Sequence, residues 1–258
     1  MTGLKPISPS PVVVEVLDDL ARAHRILEME DHGDMSMGHL SFRDPEGRGA
    51  WLKRGNLGFE EVQPEDFILI DWDGNVLEGT GLRHLEWPLH TEMMLARPDI
   101  NVVGHSHPFN AIILSATGQE LRAFSNEGVW FEEHGVPHFT LTSNLIDTRA
   151  LGEAHAASLG ASDAVLLRNH GASFVGTGVK ECTLAGIFLE KAAKMQVAIA
   201  STGWKHSAPD HDEILTKRVD IYPERAKNNF WNYFNRKLAV REGRTWDPKY
   251  DAPMAPTT

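Results

Sequence analysis

The chain has 258 residues, 41% of them apolar and 24% charged, an ordinary globular composition that excludes a wholly disordered polypeptide. Its net charge of −11 argues against a nucleic-acid backbone as partner, because phosphate binding calls for a basic surface. A small anion, which answers to local charge, is still admitted.

Residues 1–11 carry three prolines and read as an extended arm. Val12 to Met29 repeats apolar residues at helical spacing (Val13, Val16, Leu17, Leu20, Ile26, Leu27). Asp31 to Gly38 is a glycine-punctuated loop. Leu40 to Arg43 alternates like a strand, with residues 50–53 as its hairpin partner. The runs 67–71 and 75–78 flank Asp73-Gly74, a strong hairpin signal. Glu86 to Arg97 is helical in pattern and Pro98 closes it.

Ile100-Asn101-Val102-Val103 is short and apolar, as a buried strand would be. It leads into Gly104-His105-Ser106-His107-Pro108. Residues two apart on a strand share a side and lie roughly 6.5–7 Å apart, so His105 and His107 can face one point in space. Pro108 suits the first position of a helix, which residues 109–116 continue. Residues 117–145 mix turns with short strands, notably 138–142. A surface helix over 147–160 stops at Gly160, and strands at 164–168 and 172–175 enclose Asn169-His170-Gly171. Val179 to Thr202 is the longest helix, ended by Gly203 in the left-handed conformation.

Cys182 lies in that helix as a small buried side chain. As the single cysteine it cannot form an internal disulfide, which fits a reducing cytoplasm. A further helix covers 229–238. No signal peptide is evident, and no run of about 18 apolar residues could span a membrane. Without repeats or linkers, the chain reads as one domain over 1–258, with an N-terminal arm (about 1–11) and a C-terminal helical extension (about 204–258).

A catalytic divalent metal needs about three protein ligands and an open position for substrate. His-x-His alone leaves two readings open, metal binding or two histidines hydrogen-bonded in a polar core. Among the 13 histidines, His170 is the best third ligand, because it repeats the strand, histidine-turn and glycine arrangement. His84, His90, His134 and His138 compete; His90, inside a helix, reads as a packing residue or as support for a ligand.

The order Glu86-Trp87, Arg97-Pro98-Asp99, His105-x-His107-Pro108 and Asn169-His170-Gly171 before a long helix resembles the class II aldolase/adducin family, over roughly residues 15 to 202. The resemblance implies an α/β fold, three-layer α/β/α with a central, mainly antiparallel sheet. It implies one divalent metal per chain, usually zinc, on His105, His107 and His170, although three imidazoles suit manganese, cobalt and iron as well. It makes Glu86 the general acid/base. It also implies a homo-oligomer, a tetramer being favoured, with active sites at subunit interfaces. A tyrosine from another subunit belongs near such sites, and Tyr222, Tyr233 and Tyr250 are the candidates. Adducins supply a non-catalytic alternative on the same fold.

Departures from the sugar-phosphate aldolase pattern inform the substrate. Those enzymes hold phosphate with a Gly-Asn pair on an early strand and a Ser-Ser pair before the glutamate. Here Gly38-His39 stands at the first, followed by Ser41 and Arg43, and His84-Leu85 at the second, with Arg83 adjacent. Guanidinium matches a planar carboxylate in a fork, so Arg83, His84, His39, Ser41 and Arg43 become candidate substrate contacts. The pattern is similar to family members that decarboxylate hydroxylated aromatic or pyridine carboxylic acids. Aldol cleavage or epimerisation of a sugar phosphate is the alternative.

Overall fold

Ser10 caps the first helix, α1 (Pro11–Leu27), accepting a hydrogen bond from the Val13 amide, with Pro11 in the opening turn. The computed structural model describes residues 9–251. Most of the expected N-terminal arm thus lies outside the described residues, and its last residue, Pro11, is already helical.

After α1 the chain tightens into a π-helical turn, Glu28–His32, with Asp31 left-handed at φ 70°. Long-range pairs hold it: buried Glu30 meets Lys191 at 2.9 Å and also Lys237, while His32 Nδ1 lies 2.8 Å from Ser106 Oγ. Then come β1 (His39–Arg43), β2 (Gly49–Lys53), β3 (Phe67–Asp71), β4 (Val76–Glu78), α2 (Trp87–Ala96) and β5 (Val102–Ser106). Pro108 is the residue before α3 (Phe109–Thr117), not its first helical position. A short helix, α4 (Asn126–Val129), interrupts the region read as turns and strands. The strand expected there shrinks to β6 (His138–Phe139).

The chain continues through α5 (Arg149–Leu159), β7 (Ala164–Leu167), β8 (Gly171–Gly176), α6 (Val179–Thr202), α7 (His211–Ile221) and α8 (Glu224–Arg241). Gly203 ends α6 at φ 65°, as expected. Nothing apolar announced α7, whose buried residue is Ile214.

Among the described residues the eight strands form one sheet, ordered β4-β3-β2-β1-β5-β8-β7-β6. Its pairs are antiparallel except β6 with β7. Both faces are covered, which explains apolar runs without alternation such as residues 164–167. Leu166 points to the face covered by α1, α3 and α6, and Val165 and Leu167 to the face covered by α2 and α5. The result is the expected three-layer α/β/α arrangement.

One contact sets the spacing of these layers beside the histidine strand. A Cβ on Gly104 of β5 would fall 2.2 Å from Phe174 Cε2, and one on Gly186 of α6 would fall 2.8 Å from the same atom. The ring lies directly between strand and helix. Among the described residues, no helix is long and apolar enough to cross a membrane.

Candidate metal centre

Strand register assembles the site. β5 pairs with β8 so that His105 lies opposite Ser173 and Ser106 opposite Ala172. The β7–β8 turn, with Asn169 left-handed at φ 56°, brings His170 back to the end of β5. Gly171 makes the approach possible, since a Cβ there would sit 2.4 Å from the Ser106 carbonyl oxygen and 2.8 Å from His107 Cδ2. The ligand-capable atoms of His105, His107 and His170 then lie within 4.8 Å of one another.

Hydrogen bonds on the far side of two rings assign their tautomers. His105 Nδ1 lies 3.0 Å from the Ala172 carbonyl oxygen, an acceptor only, so that nitrogen carries the proton. His107 Nδ1 likewise donates to Asp34 Oδ2 at 2.9 Å. Each Nε2 is left with a lone pair, and these two lone pairs face one another at 3.2 Å. Without a cation between them they repel, so the arrangement fits a divalent metal. Burial pushes the His105 pKa well down, and it lowers that of His170 to about 4, with His107 adding to both shifts. The imidazoles of His105 and His170 are therefore neutral at pH 7 and available as ligands.

Glu86 caps α2, with Pro88 in the first turn, and turns its carboxylate to the same point. Oε1 accepts from the Ile146 amide at 2.9 Å, while Oε2 lies 3.5 Å from His105 Nε2 and 3.7 Å from His39 Nε2. Burial raises its pKa to about 7; the Ile146 hydrogen bond opposes that shift and Asp147 reinforces it. A carboxyl so poised exchanges a proton readily near neutral pH.

The candidate substrate contacts separate into two groups. His39, whose Cα pairs with that of His105, lines the cavity and packs against the tilted His84 ring with centroids 4.2 Å apart. His39 Nδ1 lies 2.6 Å from His90 Nε2, and His90 Nδ1 lies 2.7 Å from Ser41 Oγ. His84 lines the cavity with a buried Nε2 that has no partner among the described residues.

Two contacts expected from the sequence are corrected. Ser41 is fully buried and supports His90 instead of meeting the cavity. Arg43 donates to the carbonyls of Met94, Arg97 and Ile100 and lies over the Trp72 ring. The cause is distance: at about 3.3 Å per residue, only the first of His39, Ser41 and Arg43 reaches the site, although all three share a face. Arg83 borders the cavity, but its guanidinium is engaged by the Gly74 carbonyl and the Trp87 ring.

Asp34 was missed, because it pairs with a histidine 73 positions away and no local pattern marks it. Of the tyrosines, Tyr222 donates to the Asn126 carbonyl, Tyr250 is buried, and Tyr233 is exposed.

Comparison with known proteins identifies the family. Residues 18–197 match the family described as Class II Aldolase and Adducin N-terminal domain. A 3,4-dihydroxyphthalate decarboxylase of Arthrobacter keyseri is 31% identical over 75% of this chain and 82% of its own length. A 5-deoxy-D-ribulose 1-phosphate aldolase of Bacillus thuringiensis serovar kurstaki is 26% identical over 72% of this chain and 86% of its own. The crystal structure of an aldolase II superfamily protein from Pseudomonas syringae superposes with a TM-score of 0.82 at 24% identity, covering 90% of this chain and 95% of that one. With the family matched over most of its length, the chain belongs to the class II aldolase/adducin family.

Proposed function

We propose that the protein is a metal-dependent carbon–carbon lyase that releases carbon dioxide from a hydroxylated aromatic or pyridine carboxylic acid. The observation that carries this reading is the lining of the cavity. About 620 Å³ in volume, it sets apolar Met37, Leu82, Leu85 and Ile112 and the imidazole of His84 before Glu86 and the triad. A flat ring is complementary to such walls, whereas a phosphate monoester favours cations, and one Arg83 guanidinium nitrogen is already held by the Gly74 carbonyl. The decarboxylase relative supports the same assignment.

A divalent cation held by His105, His107 and His170, with zinc favoured over manganese, cobalt or iron, supplies positive charge beside a substrate hydroxyl and carboxylate. Glu86 is the proton carrier. As carbon dioxide leaves, the carbon–carbon electron pair stays on the ring carbon, which takes the Glu86 proton. The carboxylate is then reprotonated from water. His39, held by His90 and Ser41, keeps an imidazole nitrogen toward Glu86, and the His84 ring forms part of the cavity wall beside it.

We also infer a cytoplasmic homo-oligomer, a tetramer favoured, with Met35, Phe109 and Leu141 as contact points. They lie beside residues that line the cavity or form the triad, and they are 75%, 71% and 66% exposed.

The test is a substrate panel. Dihydroxybenzoates, phthalates and pyridine carboxylates are assayed for carbon dioxide release beside fuculose, rhamnulose and ribulose phosphates. Turnover of an aromatic acid is expected. The aldolase relative favours aldol cleavage or epimerisation of a sugar phosphate as second reading. Turnover confined to the phosphates establishes that reading instead. A protein with neither metal nor turnover is adducin-like.

A further inference from the structure

The three imidazoles are not held alike. His105 is fully buried and anchored to the Ala172 backbone carbonyl, so its orientation follows from the sheet. His170 has a buried Nδ1 with no partner among the described residues. His107 is anchored by a side chain, the Asp34 carboxylate, from the loop before β1 that also lines the cavity.

We propose that Asp34 is a positioning residue that sets the affinity of the metal centre through His107, a proposal that rests on reading the triad as a metal site. Three consequences follow from its 2.9 Å hydrogen bond. The proton is kept on Nδ1, so Nε2 stays free for the cation. The ring plane is fixed, so that Nε2 meets His105 and His170. The negative charge makes the imidazole a stronger donor. The placement of Asp34 is itself enforced, because residues 30, 32 and 34 take separate anchors. Glu30 binds Lys191 and Lys237, His32 meets Ser106 between His105 and His107, and Asp34 meets His107. Asp34 is 31% exposed and contributes nothing to the core, so its hydrogen bond serves the ligand and not the fold.

The experiment measures zinc dissociation constants of the full chain by competition with a chromophoric chelator, for wild type, Asp34→Ala and Asp34→Asn. Loss of a carboxylate behind a metal-binding histidine costs about 10- to 100-fold in affinity, and that loss is expected for Asp34→Ala. Asp34→Asn keeps an oxygen acceptor for Nδ1–H and is expected to recover part of it. Thermal unfolding of the metal-free proteins is expected to be the same for all three. Zinc affinity of Asp34→Ala equal to wild type overturns the proposal. So does a weakened affinity accompanied by an equal loss of metal-free stability and no recovery in Asp34→Asn, which marks a merely structural role. Wild type that binds no zinc, manganese, cobalt or iron brings down the metal-centre reading and this proposal together. Failure of the decarboxylase panel leaves the affinity result untouched.

Discussion

Two groups of buried histidines lie on opposite faces of the sheet. Where α1 packs on β1, His24 Nδ1 donates to the Leu20 carbonyl at 2.8 Å, and its Nε2 accepts from the Leu40 amide at 3.0 Å. Its ring sits edge-on to Phe59. Across the sheet, His105 and His107 each spend one nitrogen on an anchor and turn the other toward its neighbour. Burial depresses the pKa of both His24 and His105, so depth and charge state do not distinguish them. What distinguishes them is the nitrogen left over. The His24 imidazole has both nitrogens satisfied by the chain, whereas those of His105 and His107 have one each, with the remaining lone pairs converging.

This contrast can be broken experimentally. The largest effect is expected from His170→Ala, which removes a member of the convergent set. Elemental analysis after dialysis should show that stoichiometric metal is gone, and full retention would remove His170 from the site.

Glu86→Gln comes next. Metal should stay while turnover falls by about 10²-fold or more, the usual weight of general acid/base catalysis. Near-normal turnover would dismiss Glu86 as proton carrier. The same variant reports on burial. In the metal-stripped chain the Glu86 pKa is raised from 4.5 to about 7, so below pH 4.5 the group is protonated in both the folded and the unfolded state and costs nothing. As pH rises through that window the unfolded chain ionises first, and above pH 7 the penalty is on the order of 3 kcal/mol. Urea unfolding should therefore find the Gln variant more stable at pH 8 and indistinguishable at pH 4; an equal gain at both would exclude this origin.

His24→Ala should have the smallest effect on the site. Leaving the Leu40 amide unpaired in a cavity costs about 3 kcal/mol of stability, with metal content unchanged. Loss of metal would show that the two groups are coupled and the contrast false.

Local signals explain what was legible. α6 and Gly203 follow from apolar spacing and a glycine stop, and β7 and β8 from apolar runs either side of a polar turn. His105, His107 and His170 lie together because each ends or follows a strand, and strand ends can be read from composition. Long-range pairing was not legible. The π-helical turn at Glu28–His32 depends on Lys191 and Lys237, far along the chain. Asp34 depends on His107 in the same way. α7 was missed because its few apolar residues carry little period. For Ser41 and Arg43 the alternation correctly gave a face, but a shared face says nothing about reach along the strand.

Phe174 has a consequence for how this chain can vary. Its ring acts as a gauge between β5 and α6, because Gly104 and Gly186 leave it no clearance on either side. Adding a methyl group at residue 104 would press the ring into the helix or displace the strand that carries His105. A smaller side chain at 174 would relieve that pressure but leave a void beside Gly186. These three positions, 82 residues apart at the extremes (104 to 186), therefore form one unit of substitution, in which a change at one is tolerated only with compensating changes at the others.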